Sequence, residues 1–91
     1  MIFEWDPAKS AKNARERNLP FEVAAAMFDS PTLETPDLRL DYGERRVRAI
    51  GIVRGAVLVC VYVDRGAVRR IISLRAASGK ERHGYRASFP G

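Results

Sequence analysis

Ile2 to Trp5 alternates apolar and polar side chains, and Asp6-Pro7 follows at once. An aspartate able to accept the first free helical N–H, with proline at the first helical position, marks a helix start. The helix should run to about Arg17, where Asn18 can take the left-handed conformation that closes it. Its apolar face is thin, with Ala8, Ala11 and Ala14 set among Lys9, Lys12, Arg15 and Arg17. Such a helix is expected to pack lightly and to show its charges to solvent. In the next stretch Phe21, Ala24, Ala25 and Phe28 recur at i, i+3, i+4 and i+7, and Val23 and Met27 widen the stripe, which predicts a second helix facing the core. Asp29-Ser30-Pro31 ends it. Residues 32–44 are acidic and rich in turn formers (Pro36, Asp37, Asp41, Gly43), with room for one short strand.

Three stronger strands are predicted at about 45–53, 56–63 and 67–75, separated by Arg54-Gly55 and Asp64-Arg65-Gly66, both hairpin signals. The middle one is apolar on both faces and should be central in the sheet, covered on both sides. In the third, the two-residue period puts Val68, Arg70, Ile72 and Leu74 on one face and Arg69, Ile71, Ser73 and Arg75 on the other. One face of the sheet is thus expected to be core and the other to carry guanidinium groups and a hydroxyl. Ser78-Gly79-Lys80-Glu81 reads as a capping box that opens a short helix. There Glu81 and Tyr85 share one face at i, i+4, while Arg82 and Arg86 share another. The pattern as a whole predicts an α+β fold, with two N-terminal helices and a C-terminal helix packed on a mainly antiparallel, twisted sheet.

Ninety-one residues suffice for one core and not for two, so a single domain over residues 1–91 is expected. The lone cysteine, Cys60, lies inside the apolar run 56–63, the setting of a buried hydrophobe rather than a nucleophile. One Cys and one His cannot assemble a zinc site, so neither metal nor cofactor is expected. That apolar run of eight residues is far too short to cross a membrane, and no basic segment followed by an apolar one opens the chain. A cytoplasmic protein is expected.

Charge changes this picture most. Residues 45–91 hold eleven Lys or Arg, ten of them Arg, against two acids, whereas residues 1–44 hold five basic and nine acidic groups. Arginine's planar fork matches two phosphate oxygens at once and stacks on bases. A stripe of it beside alternating apolar strands is the pattern of a nucleic-acid-binding face.

Four short motifs in order then carry a resemblance. Phe3-Glu4-Trp5-Asp6, Phe28-Asp29-Ser30-Pro31-Thr32-Leu33, Asp41-Tyr42-Gly43-Glu44-Arg45-Arg46 and Arg69-Arg70-Ile71-Ile72-Ser73-Leu74-Arg75-Ala76, followed by Glu81 and Tyr85, resemble the BrnT family of bacterial toxins. The resemblance runs from about Phe3 to Arg86. It implies a RelE-like ribonuclease fold, the toxin role in a type II toxin–antitoxin pair, and neutralisation by a BrnA antitoxin. In that family the antitoxin carries a ribbon-helix-helix domain and the complex represses its own operon, so operator DNA would be met only through the antitoxin, in a hetero-oligomer. This chain departs from expectation at Leu19-Pro20-Phe21, which lacks a Ser or Asp cap, and at Gly84, since glycine within a helix costs about 1 kcal/mol relative to alanine.

RNA cleavage without a metal uses the 2′-hydroxyl against the adjacent phosphate, and requires alignment, charge neutralisation and two proton transfers. On this reading Arg75 and Arg69 grip a phosphate together, and Ser73 between them donates to a non-bridging oxygen. Glu81 is the candidate base, and Tyr85, one turn on, orients the phosphate or stacks on a base. Arg65 at a hairpin tip, Arg70 and Arg82 are candidate RNA contacts, free or on the ribosome. Each has a plainer reading: solvated arginines paired with the acids of 32–44, Glu81 as a helix cap, Tyr85 as an aromatic at the core edge, His83 facing away, Trp5 closing the core. A non-catalytic basic module serving mainly as the partner of a DNA-binding repressor is the alternative function.

Overall fold

The longest apolar run becomes the middle of the sheet. In the computed structural model of the chain, which describes residues 1–39 and 43–90, the elements are β1 (Ile2–Glu4), α1 (Pro7–Arg17), α2 (Glu22–Met27), β2 (Leu33–Pro36), β3 (Val47–Val53), β4 (Ala56–Arg65), β5 (Val68–Ala76) and α3 (Gly79–Ser88). Five strands form one sheet in the order β1-β5-β4-β3-β2. β1 runs parallel to β5, and the other pairs are antiparallel. The architecture is α+β with three helices and a mixed sheet. Asp41 and Tyr42, part of one motif of the resemblance, lie outside the described residues.

Local chemistry sets the helix ends. The Asp6 carboxylate accepts the Ala8 N–H at 2.9 Å, and Asn18 closes α1 with φ 57°. α1 docks through polar side chains instead of apolar ones. Ser10, its buried residue, accepts the Phe21 N–H at 2.8 Å, which satisfies a buried donor just before α2, a helix with no side-chain cap. Asn13 donates to the carbonyls of Leu19 at 2.7 Å and Leu74 at 2.9 Å. β1 covers β5 only as far as Arg70, and Asn13 satisfies a carbonyl on the strand beyond it. α3 opens with the predicted capping box: Ser78 Oγ accepts the Glu81 N–H, and Glu81 accepts the Ser78 N–H.

Both faces of the sheet carry core, which corrects the expectation of one apolar and one charged face. Under α2 lie Phe21, Ala24 and Met27 with Ala49, Leu58, Cys60, Tyr62, Ile71 and Leu74, and Trp5 packs against them. A Cβ on Gly51 would overlap the buried Met27 Cγ, so glycine there lets α2 close on the sheet. The opposite face holds Ile50, Val57 and Val59 beneath Ala77 and Tyr85 of the α3 end. α3 covers only part of that face.

One irregularity re-aims the chemistry. Tyr62 pairs with Ile71 but Val61 pairs with Ser73, so Ile72 is an extra residue in β5. Such a bulge shifts every later side chain to the other face relative to a strict alternation. The predicted row of Arg69, Ile71, Ser73 and Arg75 is therefore broken. Arg69 and Ile71 lie on the α2 face, and Ser73 and Arg75 lie on the α3 face, opposite Val61 and Val59.

Candidate RNA-binding cleft

Cross-strand register builds the floor of a cleft on the α3 side of the sheet. Arg48, Val61 and Ser73 form one row across β3, β4 and β5, and Ile50, Val59 and Arg75 form the next. Around the valines the surface opens into a cleft of about 510 Å³, lined by Arg48, Val59, Val61, Ser73 and Arg75, with Pro36, Asp37, Leu38 and Arg39 as its rim. A second lobe of about 350 Å³ continues it toward α1, where Lys9, Lys12, Asn13, Glu16 and Arg17 form the wall. Both lobes share Arg39, Val61 and Ser73.

Glu81 organises the arginines. Its carboxylate takes both terminal nitrogens of Arg75, at 2.8 and 2.9 Å, and Arg48 Nη1 stands 3.5 Å from Oε2. The bidentate Arg75 contact holds the Glu81 carboxyl down at about 2, with the Ser78 N–H adding to the effect and partial burial opposing it. A carboxylate so stabilised is a poor proton acceptor near neutrality. Its geometry makes it the brace that fixes two guanidinium groups. The Arg75 side chain is 40% exposed while Glu81 is 15% exposed, so the cation rather than the anion faces the cleft. Asp37 does the same at the rim, where its buried carboxylate holds exposed Arg39 at 2.8 and 2.9 Å.

The remaining candidates fall elsewhere. Arg69 is enclosed on the α2 face, with its guanidinium 4.7 Å from the Phe28 ring centroid and 3.9 Å from that of Tyr62. Asp64 binds it bidentately at 2.8 and 3.0 Å, and its side chain is 15% exposed. Tyr85 is 4% exposed and gives its hydroxyl to the Pro31 carbonyl at 2.8 Å, so it is a core residue and not a phosphate or base contact. Arg65 pairs with Glu44, Arg70 with Glu4, and Arg82 donates to the Ala77 carbonyl. None of these three lines either lobe. Burial pushes the Cys60 thiol up to about 12, which leaves it inert.

Sequence reasoning missed Arg48, Arg39 and the α1 wall. A signal for the last existed: Lys9, Lys12, Asn13 and Glu16 recur at i, i+3, i+4 and i+7, the spacing of one helix face, with polar residues where a buried helix would carry apolar ones.

No helix is long and apolar enough to cross a membrane among the described residues. No curated relative matches the chain. The family model of the BrnT ribonuclease toxin of type II toxin–antitoxin systems matches residues 5–81, a span that includes Arg48, Ser73, Arg75 and Glu81. The chain therefore belongs to the BrnT family of type II ribonuclease toxins, which act with an antitoxin partner.

Proposed function

We propose that the chain is a metal-independent endoribonuclease, a single RelE-like toxin domain acting in the cytoplasm to stop translation, and that it cuts RNA in the cleft of Arg48, Ser73 and Arg75. The observation that carries this reading is the convergence of two exposed, carboxylate-braced arginines and a hydroxyl on one apolar floor. In the reaction the 2′-oxygen of one nucleotide bonds to the adjacent phosphorus and the bond to the 5′-oxygen breaks. The products are a 2′,3′-cyclic phosphate and a 5′-hydroxyl. Arg75 and Arg48 neutralise the charge that gathers on the non-bridging oxygens, and Ser73 donates to one of them. Glu81 contributes by holding Arg75 in place. The carboxylates of Glu81 and Asp37 are each committed to an arginine, which leaves proton transfer to water in the open cleft.

Neutralisation follows from competition. A ribbon-helix-helix antitoxin of the BrnA kind that covers the cleft in a hetero-oligomer would exclude RNA, and operator DNA would be bound through that antitoxin alone. The capture of Glu81 by Arg75 favours one second reading, a basic binding module without catalysis. Purified toxin incubated with RNA in excess EDTA, and with translating ribosomes, tests both. Fragments ending in cyclic phosphate, lost in Arg75→Ala, support cleavage. Bound but intact RNA in both assays supports the second reading, and cleavage that requires an added divalent ion contradicts metal independence.

A further inference from the structure

Two lobes that meet at Ser73 offer more than one phosphate its own partners. We infer that the α1 wall is a second phosphate subsite, in which Lys9 and Lys12 hold the RNA backbone one linkage away from the phosphate gripped by Arg75 and Arg48. The inference rests on the RNA-cleaving reading of the cleft and extends it along the strand.

Three observations carry it. First, the lobe lined by Lys9, Lys12 and Arg17 adjoins the Arg75 lobe, with Arg39, Val61 and Ser73 lining both, so a strand whose phosphate meets Ser73 has the second lobe next to it. Second, α1 is registered directly to the strand that bears the site. Asn13, one residue from Lys12 and one turn from Lys9, donates to the Leu74 carbonyl at 2.9 Å, between Ser73 and Arg75 in the chain. A wall tied to the site strand by a hydrogen bond keeps its cations at a fixed offset from Ser73 and Arg75. Third, the charge is suited to a polyanion. The wall sets Lys9, Lys12 and Arg17 against Glu16, with Arg39 and Arg46 across the lobe. Lys12 and Glu16 stand 3.8 Å apart and are 67% and 58% exposed, a loose pair that a phosphate can open. Lysine suits this role, because an ammonium holds a backbone phosphate as a point charge without demanding one orientation.

A non-cleavable 2′-O-methyl oligoribonucleotide tests the subsite apart from the chemistry. Its affinity for the toxin is measured by fluorescence anisotropy across a salt series for the wild type, for Lys9→Ala/Lys12→Ala, and for Lys80→Ala/Arg86→Ala, which removes equal charge from exposed positions on α3 outside both lobes. The expected result is about tenfold weaker binding for the α1 pair, and a salt slope shallower by about 0.7, the value for one single-strand phosphate contact. The α3 control should keep the wild-type slope. Equal slopes for wild type and the α1 pair, with circular dichroism showing both folded, overturn the subsite while leaving the Arg75 lobe standing. Absence of binding by the wild type itself would instead remove the RNA reading on which the subsite depends.

Discussion

Arg69 and Arg75 sit six residues apart on the same strand and have opposite fates. Arg69 packs against the Phe28 and Tyr62 rings and is bound by Asp64, whereas Arg75 is braced from behind by Glu81 and open toward a cleft. Each has a bidentate carboxylate, so ion pairing alone does not distinguish an enclosed arginine from one that opens on a cleft. What distinguishes them is which side of the pair meets solvent, together with the single extra residue, Ile72, that sends them to different faces.

Substitutions that treat the two arginines alike should show how differently they serve. The largest effect is expected from Arg75→Ala, which should lower RNA cleavage by about 10²–10³-fold, as when one donor to a developing oxyanion is removed, with an unchanged circular dichroism spectrum. Arg69→Met should leave cleavage per folded molecule unchanged and reduce stability by about 1–3 kcal/mol, through loss of two ring contacts and of a charge-assisted pair, as urea unfolding will show. If the kinetic loss instead follows Arg69, the division between the faces is wrong.

Gly51→Ala sharpens the same contrast from the α2 side. Its new methyl meets Met27, which is fully buried, and overpacking of this kind costs about 1–3 kcal/mol. A lowered Tm is expected, with unchanged RNA affinity for the folded fraction.

Glu81→Gln gives the smallest and most specific effect. Glutamine keeps the capping geometry at that position but loosens the hold on Arg75, so cleavage should fall by roughly tenfold. The sign of the pH effect is fixed. Because the folded carboxyl titrates near 2, below its ordinary 4.5, its stabilising contribution is complete above that ordinary value and is lost as pH falls toward 2. The stability difference between wild type and Glu81→Gln should therefore narrow from pH 5 to pH 2. A constant gap across that range would show that the ion pair is not what Glu81 supplies.

Much of the fold was legible in local sequence. Asp6-Pro7, Asn18, the Arg54-Gly55 turn with φ of 51° and 84°, and the capping box at Ser78 each act within a few residues, and each is where the chain's own chemistry puts it. The site was legible only in part. Ser73 and Arg75 were named as candidates and do line the cleft, but their partnership with Arg69 was read from a period that the bulge breaks, and an extra residue in a ladder leaves no mark on one strand read alone. Arg48 enters by pairing with Val61 across two strands, and Lys9 and Lys12 by a hydrogen bond from Asn13 to a strand 61 residues away. Ser10, on a helix whose apolar face is thin, accepts the Phe21 N–H that precedes another helix. Such contacts are tertiary, and periodicity carries no information about them.

The central claim is that RNA lies on the face that carries Ser73 and Arg75, against the α1 wall. Amide chemical-shift mapping of the ¹⁵N-labelled toxin with a 2′-O-methyl oligoribonucleotide tests this most directly. The account predicts the largest shifts at Arg48, Val61, Ser73, Arg75, Lys9 and Lys12, with little change at Phe28, Tyr62 and Arg69. Shifts centred on Phe28, Tyr62 and Arg69 instead would contradict it.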